Sequence, residues 1–175
     1  ELGGVNFTSI LRDFLVREFI SKNNKYSDLR DNPIKMSKLW VQAEEIKMQL
    51  SEKTALNITI NNVYKKKSLE IKNFSRAKYE ALCKPLFEKC DICLTKVLQS
   101  ITPQTIIDDV IFIGGSSRMP RIRENAINII SARQNGVIPT IHNNINPDEA
   151  VAIGASKQAY ALSNPLDLNK INLNE

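Results

Sequence analysis

The sequence predicts a mixed α/β fold, and three patterns support this assignment. Apolar residues recur at helical spacing in two long segments, residues 7–19 and 36–50. Apolar and polar residues alternate over residues 56–60, as in a half-exposed strand. Residues 110–113 form a continuous apolar run rich in β-branched side chains, which is typical of a strand buried on both faces.

The composition limits the class of protein. The chain has 175 residues, 42% of them hydrophobic, which is enough for one domain or two small subdomains. The sequence contains no apolar run that could cross a bilayer and no signal-peptide pattern, so we expect no membrane partner. Three cysteines, an odd number, argue against a disulfide framework and favour a reducing compartment. The net charge of +5 suits an anionic ligand, and the start at Glu1 suggests a piece of a longer protein.

Two helices are predicted in the first third of the chain. The first follows Gly3-Gly4 and presents one apolar face over residues 7–19. Residues 21–32 are polar and indicate a loop or a frayed helix end. Pro33 then opens a second helix, because proline is tolerated in a first helical turn. The buried stripe of this second helix comprises Met36, Leu39, Trp40, Ala43, Ile46 and Leu50.

A β-hairpin is predicted next, with strands around residues 56–60 and 69–71 joined across residues 61–67. Lys65, Lys66 and Lys67 form a short basic run at the expected turn. Such a run either contacts nucleic acid or an acidic partner, or is a solvated loop tip. The solvated tip is favoured, because no aromatic platform is assigned beside the lysines.

A third helix is expected to begin at Ser75, whose hydroxyl can cap it, and to kink at Pro85. Its cysteines include a Cys-x-x-Cys pair, Cys90 and Cys93. A zinc site needs further ligands, and the sole histidine, His142, lies in a Pro/Asn-rich connection and is assigned to the surface. We therefore interpret the cysteines, with Cys83 upstream, as core residues.

The apolar strand at residues 110–113 leads into Gly114 and Gly115, and Pro120 then opens a helix. Glycines let the backbone approach a ligand closely, and a helix start presents unpaired N–H groups, so this unit is a candidate anion site. An ordinary strand-to-helix turn that binds nothing has the same pattern.

The last part of the chain is predicted to form a helix to about residue 132, a turn at 134–136 and a short strand within 137–141. Another helix is expected from Asn146, with acidic residues in its first turn. Its close-packing side is assigned to the small residues Ala150, Gly154, Ala155 and Ala159.

Four segments together resemble the heat shock protein 70 chaperone family. They are Gly-Gly-Ser-Ser-Arg-Met-Pro at 114–120, Asn-Pro-Asp-Glu-Ala-Val-Ala at 146–152, Leu-Gly-Gly-Val-Asn-Phe at 2–7, and residues 44–51. Their order and spacing agree with the actin-like ATPase domain of that family from residue 2 to about 162. The resemblance implies an α/β, actin-like ATPase (ribonuclease H-like) lobe fragment, with mixed sheet remnants packed with helices.

The resemblance also implies a division of the chain. Residues 1–78 correspond to the outer, nucleotide-cover subdomain of the second lobe, with helices and the β-hairpin. Residues 79–163 correspond to an incomplete inner subdomain. Residues 164–175 are expected to be a linker or tail.

In the family, the residues that match these four segments bind ATP or ADP. The resemblance places Gly4 near the nucleotide, with Glu44, Lys47 and Ser51 holding the adenosine. It places Gly114, Gly115 and Ser116 beside the phosphates and ribose, Arg118 near the adenosine, and Asp148 near the cleft floor. By spacing alone, Glu44, Lys47 and Ser51 are equally a solvated helix face with a weak ion pair.

The chain departs from the family pattern at two places. Met48 stands where the family generally has an arginine that stacks on the adenine, so the planar cation is missing. Val5 and Asn6 stand where the family usually has two acidic residues. Magnesium is expected to be carried mainly by the phosphates and by groups outside this chain, so we assign no metal ligand and no catalytic residue here.

The expected function is that of one wall of the nucleotide cleft in an ATP-dependent protein-folding chaperone. The implied partners are the first lobe of the same domain, nucleotide exchange factors, J-domain co-chaperones, and unfolded clients bound through a separate domain. We expect a cytoplasmic protein, with the endoplasmic reticulum as the alternative. A divergent relative that acts as an exchange factor or regulatory co-chaperone is the second hypothesis. A nucleic-acid-binding module, suggested by the basic charge, is the third and is disfavoured.

Overall fold

The computed structural model describes residues 2–142 and 144–163. The predicted linker or tail at 164–175 lies outside the described residues. The chain begins with helix α1 (Gly4–Lys22), and a 3₁₀ segment (Asn24–Asp31) leads to helix α2 (Pro33–Glu52).

Local capping explains where these helices begin. The backbone N–H of Gly3 donates to Oδ1 of Asn6 at 2.8 Å, so α1 starts three residues before the predicted apolar face. Pro33 opens α2 as predicted, with Oδ1 of Asn32 accepting from the Lys35 N–H at 3.1 Å. The polar segment between the helices is a 3₁₀ helix rather than a loop or a frayed helix end, and the fully buried Leu29 anchors it to the core.

The hairpin consists of β1 (Ala55–Tyr64) and β2 (Lys67–Ser75), which pair antiparallel. Its turn contains only Lys65 and Lys66, so it is much tighter than the predicted connection. One face of the hairpin joins α1 and α2 in a single core. The largest fully buried side chains of this core include Phe7, Leu11, Leu15, Phe19, Leu39, Leu50, Leu69, Phe74 and Tyr79.

Helices α3 (Arg76–Leu82) and α4 (Lys84–Gln99) follow. Ser75 caps α3 by accepting a hydrogen bond from the Lys78 N–H at 3.1 Å, as predicted. The helix breaks at Cys83, and Pro85 lies in the first turn of α4, which confirms the predicted kink.

The three cysteines differ in their surroundings. Cys83 is buried in the core, as predicted. Cys90 is half-buried and Cys93 is exposed, so the core assignment is wrong for Cys93. The reason is that α4 packs against the main core through Phe87 and Cys90, and Cys93 lies one turn beyond this contact.

Strands β3 (Asp109–Ile111) and β4 (Thr140–His142) form a parallel pair, and α5 (Pro120–Arg133) connects them. The prediction of a strand buried on both faces is wrong for the described structure, because the side chains of Ile111 and Ile113 are 53% and 54% exposed. β3 has one strand neighbour, β4, among the described residues, so its other edge is uncovered.

Helix α6 (Ala150–Ser163) begins four residues after Asn146. Residues 146–149 form a turn instead, in which the Asn146 carbonyl accepts from the Ala150 N–H at 3.0 Å. The predicted close-packing side of α6 is wrong, because the helix has no buried residue and no described element covers Gly154, Ala155 or Ala159. None of the described helices combines the length and apolarity that a bilayer span requires.

Candidate functional site

A cavity of about 950 Å³ lies between the α1–α2 pair and the turns that follow β3 and β4. Nine of the ten sequence-predicted site residues line it: Gly4, Glu44, Lys47, Met48, Ser51, Gly115, Ser116, Arg118 and Asp148. Gly114, the tenth, immediately precedes the lining residues. The structure therefore brings two distant parts of the chain to one cavity.

A buried polar network supports the helical wall of this cavity. Lys47 Nζ lies 2.8 Å from the Glu44 carboxylate and 3.0 Å from Oγ1 of Thr8. Lys47 Nζ also approaches the Gly4 carbonyl at 3.4 Å, and the Thr8 hydroxyl contacts both that carbonyl and Oε2 of Glu44. The network ties the first turn of α1 to the middle of α2.

Sequence reasoning missed Thr8, which is completely buried. A single threonine within an apolar helix face gives no signal that its partners lie 36 and 39 positions further along the chain. Its role appears only when the two helices are placed side by side.

The Glu44 carboxylate is held in its ionised form. Burial by itself would raise its pKa, but the hydrogen bonds from Lys47 and Thr8, together with the charge of Lys47, outweigh burial and lower the pKa of Glu44. The Lys47 side chain is 9% exposed and that of Glu44 is 40% exposed. The carboxylate therefore faces the cavity while the ammonium lies behind it.

The remaining α2 residues of this wall are more open. Met48 is 62% exposed, and the Ser51 hydroxyl donates to the Lys47 carbonyl at 3.3 Å. Trp40, assigned to the buried stripe by sequence, also lines the cavity and carries the Arg12 guanidinium 5.4 Å from its ring centroid. The wall thus combines a carboxylate, a hydroxyl and apolar surface.

The opposite wall is built on the glycine turn. Gly114 has φ +81°, a conformation that favours glycine, and its N–H donates to the Pro147 carbonyl at 2.7 Å. A 3₁₀ turn (Gly115–Arg118) follows before Pro120 opens α5. As the first residues of this turn, Gly115 and Ser116 have no acceptor for their N–H groups within it. The anion-site candidate is therefore this turn rather than the start of α5.

Arg118 and Asp148 link the two turns of this wall. Arg118 donates to Oδ2 of Asp148 from Nε at 3.1 Å and from Nη2 at 2.7 Å, and to Oδ1 of Asn146 at 3.0 Å. The side chains of this ion pair are 49% and 53% exposed, so water and salt screen it. A Cβ on Gly115 would lie 3.2 Å from Oδ1 of Asp148, so the backbone passes close to this carboxylate.

Sequence reasoning also missed Met119 and Arg123, which line the cavity beside the turn. Arg123 Nε donates to the Ser117 carbonyl at 2.7 Å, and its guanidinium lies 4.8 Å from the Phe112 ring centroid. The available signal was their spacing: Met119 directly precedes α5 and Arg123 follows four positions later, which places both on the same side at the start of this helix.

The two walls offer different chemistry. Lys47, Arg118, Arg123 and the N–H groups of Gly115 and Ser116 favour an anion, while Glu44 and Ser51 suit hydroxyl groups. No cluster of three or more metal-ligating side chains occurs among residues 2–142 and 144–163. His142 lies outside the cavity, partly exposed, with Nε2 2.7 Å from Oδ1 of Asp109.

The small sheets packed with helices, and the glycine turn that faces a helical wall across a cleft, agree with a fragment of an actin-like ATPase fold. The sequence model of the family described as "Hsp70 protein" matches residues 1–175. The chain belongs to the Hsp70 family, whose nucleotide-binding domain has the actin-like ATPase fold.

Curated relatives agree with this assignment. The chain is 36% identical over 162 residues to Heat shock 70 kDa protein 14 of Pongo abelii, a match that covers 92% of the chain and 30% of the relative. It is 32% identical over 163 residues to Heat shock cognate 70 kDa protein 3 of Dictyostelium discoideum, covering 93% of the chain and 24% of the relative. The chain thus spans less than a third of the length of these relatives.

Proposed function

We propose that this chain forms one wall of an ATP- or ADP-binding cleft in an ATP-dependent protein-folding chaperone. The observation that carries the proposal is the shared cavity between the Glu44 side of α2 and the glycine turn after β3. Glu44, Lys47 and Ser51 bind the ribose and base side of the nucleotide. Gly114, Gly115 and Ser116 lie along its phosphates.

The residues present fit such a ligand. The cavity volume, about 950 Å³, is in the range of small-molecule sites. Gly4 and Gly115 both lie where a side chain would meet a polar atom of the cavity wall, so the backbone itself forms part of the surface. Glu44 is ionised and can accept from sugar hydroxyls, while Lys47 supplies a compensating positive charge.

Magnesium belongs to the nucleotide in this proposal. The carboxylates of Glu44 and Asp148 are both engaged by basic side chains, Lys47 and Arg118. The phosphates and groups contributed by the first lobe therefore carry the ion. When bound, magnesium neutralises phosphate charge.

The rest of the chaperone cycle requires partners beyond this chain. The first lobe of the same domain closes the cleft and supplies the catalytic groups. The proposed partners also include nucleotide exchange factors, J-domain co-chaperones and unfolded clients. The clients bind through a separate domain. We place the protein in the cytoplasm, with the endoplasmic reticulum as the alternative.

Calorimetric titration of ADP into the complete ATPase domain tests the proposal. Glu44→Gln removes the carboxylate that faces the cavity, so we expect about tenfold weaker binding. Glu45→Gln removes the same charge from an exposed neighbour and is expected to leave the affinity within about threefold. Equal affinities for wild type and Glu44→Gln would reject the assigned wall. Residues 1–175 alone should not hydrolyse ATP.

The second candidate, a regulatory relative with weak hydrolysis, is favoured by the exposed Met48 and by Val5, which is 67% exposed on the cavity wall. Neither side chain offers charge to a nucleotide. The test is titration of ATP into the complete domain with and without Met48→Arg. Tight binding and rapid turnover of the unsubstituted domain would count against the regulatory role. A large gain of affinity in Met48→Arg would support it.

A further inference from the structure

The positive charge of the chain is concentrated in its first part. Residues 1–78 contain 15 Lys and Arg against 9 Asp and Glu, a net charge of +6. Residues 79–175 contain 9 against 10, a net charge of −1. Such an asymmetry favours an anionic partner for the first part of the chain.

The structure gathers lysines and tyrosines at the turn of the β1–β2 hairpin. Lys65 Nζ lies 4.9 Å from the Tyr64 ring centroid and 5.4 Å from that of Tyr26. Lys25 Nζ lies 5.4 Å from the same Tyr26 ring, and the two rings meet edge to face with centroids 6.1 Å apart. We call this surface the lysine tip. It consists of Lys25, Tyr26, Tyr64, Lys65, Lys66 and Lys67.

Aromatic rings beside the lysine run change the interpretation of the lysine tip, because the sequence disfavours a nucleic-acid contact only for want of such rings. From sequence, no aromatic side chain is assigned beside the lysine run. Tyr64 directly precedes the run, and the 3₁₀ segment brings Tyr26 against it from 38 positions earlier in the chain. Basic side chains interleaved with aromatic rings are the usual arrangement of single-strand binding surfaces.

The backbone of the turn indicates that these lysines serve a purpose other than folding. Lys65 and Lys66 have φ of 45° and 63°, so both central residues of the two-residue turn are left-handed. Asn-Gly is the favoured pair in this geometry, and lysine is conformationally disfavoured at both positions. Residues that oppose a local conformational rule are characteristic of functional positions.

The tyrosines decide which polyanion fits. Base stacking on a tyrosine is worth more than an exposed cation–π contact, so a base can displace Lys65 from the Tyr64 ring. The Lys65 ammonium lies 2.9 Å from Oδ2 of Asp28, so it stays paired with that carboxylate and adds positive charge beside the base rather than a direct phosphate contact. Asp28 keeps its hydrogen bond from the Tyr64 hydroxyl at 2.8 Å. An acidic peptide would use the lysines but has no group that requires the rings.

We infer that the lysine tip binds single-stranded nucleic acid, with Lys25, Lys66 and Lys67 contacting phosphates and Tyr64 stacking on a base. The binding surface is distinct from the residues that line the nucleotide cleft.

Fluorescence anisotropy of a labelled oligouridylate RNA of about 12 nucleotides, titrated with the 175-residue chain, tests the inference. We expect binding that weakens with salt, with a log–log slope of about −2 if three phosphates are contacted. Lys65→Asn with Lys66→Gly gives the turn its favoured residues, so the fold is retained while affinity falls about tenfold or more. Lys84→Asn with Lys89→Asn, an equal charge loss on α4, is expected to change affinity less than threefold.

A second pair of variants separates stacking from charge. Tyr64→Leu should weaken RNA binding about five- to tenfold, whereas Tyr64→Phe keeps the ring and should match the wild type. Absence of RNA binding at low salt would overturn the inference, as would equal losses in the two lysine double variants. Binding of a polyglutamate peptide without binding of RNA would also overturn it and assign the surface to an acidic protein partner.

Discussion

A Cβ atom on Gly4 would lie 2.7 Å from Oγ of Ser116, so the first residue of α1 directly contacts the turn that follows β3. The same Cβ would lie 3.4 Å from Nζ of Lys47. Gly4 is therefore the point at which the two walls of the cavity meet. A side chain here would have to move the Ser116 hydroxyl.

Gly4→Ala is expected to weaken nucleotide binding by the complete ATPase domain about three- to tenfold, because the methyl group rotates or displaces the Ser116 hydroxyl. Gly4→Ala should have little further effect in a Ser116→Ala background, where that hydroxyl is already absent. Titration of ADP into the wild type, both single variants and the double variant measures this coupling. Strict additivity of the two losses would show that the contact does not matter.

Thr8→Val is expected to destabilise the chain by about 1–2 kcal/mol, because it keeps the shape but removes a fully buried hydroxyl that Lys47 and Glu44 both contact. Thr8→Ser keeps the hydroxyl and should recover most of this loss. Urea unfolding followed by circular dichroism gives the two free energies of unfolding. Full stability of Thr8→Val together with a loss in Thr8→Ser would assign the effect to packing of the methyl group instead.

Gly114→Ala is expected to cost about 1–2 kcal/mol of stability, because φ at Gly114 is +81° and an L side chain is strained there. No atom within 4 Å would meet the added methyl group, so the cost is conformational rather than steric. Gly154→Ala gives a control of opposite sign. Gly154 lies in α6 with open space around it, so alanine should stabilise that helix by about 0.5–1 kcal/mol. Thermal unfolding of both variants makes the comparison. Destabilisation by both substitutions would contradict the conformational explanation.

Boundaries set by local chemistry were predictable from the sequence. Pro33 opens α2, Ser75 caps α3, and Pro85 coincides with a helix break, as predicted. These signals depend only on neighbours within one turn. The tight hairpin turn was missed because Lys65 and Lys66 are not turn-forming residues, and side-chain preferences alone do not place them at positive φ.

Burial and long-range contacts were less predictable from the sequence. The exposure of Ile111 and of the small residues in α6 depends on which elements cover them, and a periodic pattern does not contain that information. In the site, helical spacing correctly placed Glu44 and Lys47 side by side. It could not show Thr8 behind them, because that contact joins two helices.

The three cysteines should differ in their rates of alkylation. Cys93 is exposed, whereas burial raises the pKa of Cys90 and raises the pKa of Cys83 to about 11. The thiolate is the reacting form, so we expect the order Cys93, then Cys90, then Cys83. Iodoacetamide labelling near pH 8 followed by peptide mass spectrometry measures the three alkylation rates. Labelling in urea is the control, because the three rates should converge in the unfolded chain. Labelling of Cys83 as fast as Cys93 in the native chain would contradict the buried position.

Acid should remove the contribution of Glu44 to stability. Burial opposes ionisation, but the hydrogen bonds from Lys47 and Thr8 prevail, so the pKa of Glu44 in the folded chain lies below its ordinary value of 4.5. Because the unfolded chain then binds the proton more readily, the contribution is complete above the unfolded pKa and disappears as the pH falls through the folded pKa.

The unfolding free energies of wild type and Glu44→Gln should therefore differ at neutral pH and converge as the pH falls through the lowered pKa of Glu44 in the folded chain. Urea unfolding between pH 7 and pH 3 measures this difference, and Glu45→Gln removes the same charge from the exposed side of α2 as a control. A gap between wild type and Glu44→Gln that stays constant to pH 3 would mean that the carboxylate acts through packing. The Lys47–Glu44–Thr8 network would then not be what fixes the wall of the cleft.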